Sequence, residues 1–164
     1  MPLLAAAAPL GAHADPALKT LLMLDFEMID ETGDTSALPA QNARLEIISQ
    51  QLSNEFHQKQ LYTILDRAPV QAMIDEQRSR FKLNDCNGCE LDIARALNAD
   101  RVLTAWVQKV SNLILNLNIE IKDARTGATV LMKSVDIRGN TDQTWTRGIN
   151  FMVRSMVDKQ QGNR

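Results

Sequence analysis

The sequence predicts an α+β domain, a two-layer α/β arrangement in which amphipathic helices pack on a mixed sheet of about five strands. Three observations carry this. Between residues 102 and 138 the chain reads VLTAWVQKVSNLILNLNIEIKDARTGATVLMKSVDIR, three strand-like runs joined by polar breaks. Within it Leu113, Leu115, Leu117, Ile119 and Ile121 alternate with Asn116, Asn118 and Glu120, the period of two of a strand with one wet face. Residues 21–24 are continuously apolar, as in a strand covered on both faces. Leu45, Ile48, Leu52 and Phe56 recur at helical spacing and form one apolar stripe.

Taken in order, residues 20–28 form the first strand, and residues 29–40 a polar loop broken by Gly33, Asp34, Ser36 and Pro39. Residues 41–58 form the first helix. Residues 61–66, LYTILD, form a short second strand. Pro69 suits the first turn of a helix, where a missing N–H costs nothing, and Val70, Met73 and Ile74 give that helix its apolar side. A loop at 83–88 leads to a third helix at 90–97 with Leu91, Ala94 and Leu97 inward. The meander follows, turning at Asp123-Ala124-Arg125-Thr126-Gly127. Thr141 or Asp142 caps a last helix whose stripe is Trp145, Ile149, Met152, Val153 and Met156. The order is β-α-β-α-α-β-β-β-α, one domain over residues 15–160 with a polar tail at 161–164.

Composition narrows the function classes. Apolar content of 45% supports an ordinary core. A net charge of −2 and 4% aromatics argue against nucleic acid, which needs positive charge and stacking platforms. The opening MPLLAAAAPLGAHA ends on Ala12-His13-Ala14, a small-x-small pattern, although no Lys or Arg precedes Lys19. Residues 1–14 therefore read as the remainder of a secretory signal whose start lies upstream, and the domain is expected in the periplasm, exported and soluble. No stretch reaches the roughly 20 apolar residues of a membrane span.

Cys86-Asn87-Gly88-Cys89 is the sharpest local motif. A structural disulfide in an oxidising compartment is the first reading. The second is a redox dithiol, Cys86 as nucleophile ahead of a helix N-terminus and Cys89 as resolving thiol. The third is a metal site, for which no further cysteine exists and His57 is the only histidine beyond the leader. Asp25, Glu27, Asp30, Glu31 and Asp34 crowd the first strand and its exit. They read as a solvated loop or, alternatively, as oxygen ligands of a carried cation such as calcium, without EF-hand spacing. His57 sits at a helix C-terminus, where its charge suits the dipole. No catalytic residue and no cofactor is assigned, since no nucleophile–base pair, phosphate loop or zinc signature occurs. The expected partner surface is the hairpin region Trp106, Gln108, Lys109, Ser111 and Asn112, the Asn116/Asn118 row, and the loop residues Asp30, Glu31 and Asp34.

These segments, with LLMLDFEMIDETGD and CNGCELDIARALNADRV, carry a resemblance. The chain resembles a family of secreted proteobacterial proteins known only as a domain of unknown function. It is similar to the N-terminal domain of TolB and to periplasmic modules of the curli-secretion lipoprotein and penicillin-binding-protein activator type. That resemblance implies a periplasmic α/β module that binds a protein partner rather than catalysing a reaction. It also associates the chain with accessory proteins of periplasmic quinoprotein dehydrogenase systems. The chain departs from the lipoprotein members in having no lipobox.

Overall fold

The computed structural model describes residues 16–162, so the expected leader lies outside the described residues, as do positions 163 and 164 of the polar tail. The elements are β1 (Thr20–Asp30), α1 (Leu38–Gln58), β2 (Thr63–Ile64), α2 (Gln71–Arg80), α3 (Cys89–Ala96), β3 (Arg101–Lys109), β4 (Ile114–Asp123), β5 (Thr129–Arg138) and α4 (Asp142–Gly162). Single 3-10 turns at Ala68–Val70 and Leu83–Asp85 introduce α2 and α3. This is the order read from the sequence. The five strands form one mixed sheet in the order β2-β1-β3-β4-β5. β1 pairs in parallel with β2 and β3, and β3, β4 and β5 form the antiparallel meander.

The placement of β1 between β2 and β3 decides where the helices go. The crossover to β2 and the crossover to β3 run to opposite sides of β1. Right-handed connections therefore put α1 on one face and α2 with α3 on the other. α1 and α4 pack over Leu21, Met23, Leu103, Leu117, Ile119 and Ile121. On the reverse face Leu22, Leu24 and Val102 meet Val70, Ile74, Ile93 and Ala94. The apolar run at 21–24 is thus divided between two cores, as its lack of alternation implies. The two-layer arrangement holds over β4 and β5 and becomes three layers around β1.

A bulge in β1 sets Leu24 and Asp25 against Thr104 alone, because the register steps from Met23↔Leu103 to Phe26↔Ala105. It resets the side-chain alternation, so Phe26 joins the α1/α4 core while Glu27 turns to the α2/α3 side. The Phe26 N–H displaced from the ladder donates to Ser49 Oγ of α1 at 2.9 Å.

The helical stripes explain the packing. Ile48, Leu52 and Phe56 of α1 are fully buried, as are Trp145, Ile149 and Met152 of α4. Each such side chain contributes roughly 1.5–3 kcal/mol on burial. Thr141 caps α4 reciprocally: its hydroxyl accepts the Thr144 N–H, and the Thr144 hydroxyl accepts the Thr141 N–H. Gly148 lets α4 approach the sheet, since a Cβ there would stand 2.4 Å from Leu117 Cδ1 and 2.9 Å from Ile137 Cγ2.

Three local expectations are corrected. β2 is a two-residue ladder, held also by the Leu65 N–H donating to Leu21 O, because an edge strand need only be short. Ile93, which the periodicity left out, is as deeply buried in α3 as Ala94, while Leu91 and Leu97 pack only partly buried against the same core. Leu113 does not extend the buried stripe of β4. It lies in the β3–β4 turn at 73% exposure, beyond the reach of any helix.

Candidate functional site

α2 and α3 are too short to cover the whole reverse face of the sheet. They cap β1 and the start of β3, and beyond them the face continues as rows of side chains across the strands. One row runs Glu27, Trp106, Asn118, Ser134, and the next runs Ile29, Gln108, Asn116, Asp136. Trp106 is half-buried, whereas Trp145 is wholly buried.

A hydrogen-bonded ladder holds these rows in place. The Ser134 hydroxyl stands 2.8 Å from Oδ1 of both Asn116 and Asn118. Asn116 Nδ2 donates to Asp136, Asn118 Nδ2 to the Asn116 carbonyl, and Gln108 Nε2 to Glu31. Glu120 accepts from the Thr129 hydroxyl at 2.5 Å. The result is a polar surface with fixed rotamers around one large aromatic side chain.

The hairpin tip adds an apolar projection that the sequence reading passed over. Val110, Leu113 and Ile114 are 49%, 73% and 51% exposed. Ser111 shapes the turn, its Oγ accepting the N–H groups of Leu113 and Ile114, and Asn112 is exposed. The signal was available: Val110 immediately before the Ser111-Asn112 turn and Leu113 and Ile114 immediately after it stand at the tip of a hairpin, beyond the helices that cover the sheet. Met132, at 59% exposure, stands opposite Glu120 on the same face.

Asn118, Lys109 and Asp30 do not belong to this exposed surface: Asn118 is 6% exposed, buried beneath Ser134 and beside the Asn116 carbonyl, and serves to hold the row rather than to face a partner. Lys109 is wholly buried, on the α1/α4 side, and its Nζ meets Asp30 Oδ2 at 2.9 Å. Burial raises the Asp30 carboxyl. The Thr32 hydroxyl, Lys109 and the Thr32 amide outweigh that and bring it down to about 2. The Glu31 N–H donates to Lys109 O. These contacts occupy the crevice at the ends of β1 and β3, the switch point at which open α/β sheets commonly bind ligands.

The acidic residues do not converge on one point. Asp25 pairs with Arg67 at 2.7 Å. Glu27 accepts the Leu83 N–H at 2.7 Å and lies 3.6 Å from Arg78 Nε. Asp34 accepts the hydroxyl and amide of Ser36, which lower its carboxyl. Each carboxylate thus serves its own turn or ion pair rather than a shared cage.

Cys86 and Cys89 have their Sγ atoms at disulfide-bonding distance and their Cα atoms 5.5 Å apart. Asn87 and Gly88 supply the positive φ values of 55° and 100° that close so small a loop at the start of α3. Behind it lies Glu90, only 3% exposed, with Oε2 3.2 Å from Cys86 Sγ and Oε1 2.8 Å from Lys122 Nζ. Burial lowers the Lys122 ammonium, and its bonds and attraction to Glu90 and Glu120 raise it further than that. Among the described residues Cys86, Cys89 and Glu90 are the one grouping of His, Cys, Asp or Glu tight enough for an ion, and here the sulfurs bind each other. A carboxylate this close also disfavours a second negative charge on Cys86, which weakens the redox reading. No helix among the described residues is long and apolar enough to cross a membrane.

The comparisons with known proteins agree with this architecture. The family DUF3280, described as "Protein of unknown function (DUF2380)", matches residues 19–157. No curated protein matches the sequence. The fold is similar to that of the LpoB C-terminal domain from Escherichia coli, with 16% identity, a TM-score of 0.51, and 77% of this chain and 88% of that one covered. The LpoB C-terminal domain from Salmonella enterica gives 18% identity, a TM-score of 0.50, and coverage of 77% and 87%. The PelC dodecamer from Paraburkholderia phytofirmans gives 16%, 0.50, and coverage of 84% and 89%. At these identities the likeness is one of fold. The family match runs from the residue before β1 into the closing turns of α4, and the chain belongs to the DUF3280 family.

Proposed function

We propose that this domain is a non-catalytic protein-interaction module of the periplasm, and that it docks its partner on the open sheet face around Trp106. The observation that carries the reading is the half-buried Trp106 in a surface of pre-ordered polar groups, flanked by Met132 and the apolar tip at Leu113. Binding energy at protein interfaces concentrates in aromatic anchors of this kind, ringed by groups that exclude water. Rotamers already fixed by the Asn116–Ser134–Asn118 ladder reduce the entropy lost on docking. Periplasmic residence is supported by the small-x-small end of the leader and by a cysteine pair suited to an oxidising compartment. Service as an accessory to a quinoprotein dehydrogenase rests on the family resemblance alone.

The test is affinity capture from periplasmic extract with the wild-type domain and with Trp106→Ala and Leu113→Asp. A partner that binds wild type at least about tenfold more tightly than either variant supports the reading. Capture that is identical for all three removes the open face from consideration.

A further inference from the structure

We propose that the free edge of β5 is a second docking site, which takes an extended acidic peptide as a sixth strand. This goes beyond the reading above, because it uses another surface of the domain.

β5 is ten residues long, contains neither Pro nor Gly, and hydrogen-bonds only to β4 within the sheet. Among the described residues its outer side therefore presents backbone N–H and C=O groups without strand partners, which is the template for strand addition. Two concavities lie along it. One of about 660 Å³ takes in residues 129–133 of β5, and one of about 430 Å³ takes in residues 134–138. Every residue of the strand thus lines a trough that α4 bounds on its other side. The trough has apolar places for alternate side chains: Leu131 and Val135 of β5 face α4 and are partly buried, and Leu18 and Phe151 beside them are 42% and 60% exposed.

Charge identifies the occupant. Lys19, Lys133 and Lys159 line the first concavity, which has no carboxylate. Arg138 and Arg147 line the second, where the one carboxylate, Asp136, already accepts from Asn116. Among the described residues none of these five cations is paired with a carboxylate. In a chain of net charge −2 this is a local reversal of sign. A second copy pairing through β5 would set this basic edge against itself. A strand bearing Glu or Asp satisfies both the backbone and the cations.

The probe is a fluorescein-labelled peptide of about ten residues, alternating Glu and Val to match the strand repeat. A Lys/Val peptide serves as control. Anisotropy with the full chain should show binding of the Glu peptide at least about tenfold tighter than the control, weakening steeply between about 0.05 and 0.5 M salt. The exposed double change Arg147→Glu/Lys159→Glu, and separately Lys133→Gln, should each weaken it, and β5 amides should exchange more slowly in the complex. Trp106→Ala should leave this affinity unchanged, which separates the site from the open face. Equal binding of the two peptides, or indifference to the α4 double variant, overturns the proposal. So does peptide-free dimerisation with β5 protected, or protection of β5 that vanishes when residues 1–15 are removed, since the edge is then occupied by a second copy or by the chain's own N-terminus.

Discussion

Lys109 Nζ meets Asp30 Oδ2 at 2.9 Å across the ends of the parallel strands β3 and β1, with the lysine side chain wholly buried and the carboxylate 14% exposed. Thr32 Oγ1 lies 3.4 Å from the same ammonium. A buried ammonium is costly without its counterion, so the pair closes the sheet at the switch point and ties the 31–37 loop to it.

Removing one partner should therefore be worse than removing both. Asp30→Ala should lower stability by about 3 kcal/mol, the lower end of the range for breaking a buried pair, because Asp30 keeps some exposure. Asp30→Ala/Lys109→Met should recover much of that loss. Urea unfolding at neutral pH of the two single variants and the double variant checks it through the coupling energy.

Acid should weaken the fold within a defined window. Asp30 and Asp123 titrate at about 2 in the folded chain against an ordinary 3.8. The Thr126 amide is the main cause at Asp123, opposed by burial and assisted by the Arg101 charge. Their stabilisation is complete above 3.8 and is lost as pH falls through that value towards 2. Melting temperatures should fall over this interval, and Asp30→Asn should flatten the decline.

Gly148→Ala should destabilise despite the helix preference for alanine. That preference is worth about 1 kcal/mol, whereas overpacking against Leu117 and Ile137 costs about 1–3 kcal/mol. A net loss of about 1 kcal/mol is expected, larger for Gly148→Val, and read by thermal unfolding.

The two tryptophans should report separately. Trp145 has no exposure and its Nε1–H donates to Asn140 Oδ1, while Trp106 is half-buried. Acrylamide should quench one component of the emission. Trp106→Phe should leave a blue-shifted emission that acrylamide barely quenches, and partner binding should protect the quenchable component in wild type.

Reducing the Cys86–Cys89 link should cost about 1–2 kcal/mol, the loop-entropy value for so short a closure, without unfolding the domain. Thiol titration before and after dithiothreitol, followed by melting, checks this. A reduction potential below about −300 mV marks an inert structural bond, and turnover in insulin reduction would instead establish an oxidoreductase.

How much of the site was legible follows from the same residues. Asn116 and Asn118 declared the polar side of the sheet, because alternation along one strand separates a wet side from a dry one, whereas Trp106 read as core or as an exposed anchor and the structure leaves it half-buried on that side. Lys109 read as part of that surface because it follows Gln108 at a turn, yet strand alternation turns it inward to Asp30, 79 residues away in sequence. The trough at β5 was not legible at all, since it joins Lys19, Lys133 and Lys159 from three distant segments.

The amino-acid sequence by itself determined the nine elements in their order, the inward stripes of α1 and α4, and the alternating meander, because each is written in contacts between near neighbours. Only the tertiary structure decided that β1 lies between β2 and β3, that helices cover both of its faces, and that a bulge at Leu24 and Asp25 resets its alternation. Periodicity reveals which side of a strand is apolar. It is silent on which strand becomes the neighbour, which is settled by crossover handedness and by pairing between residues far apart in the chain.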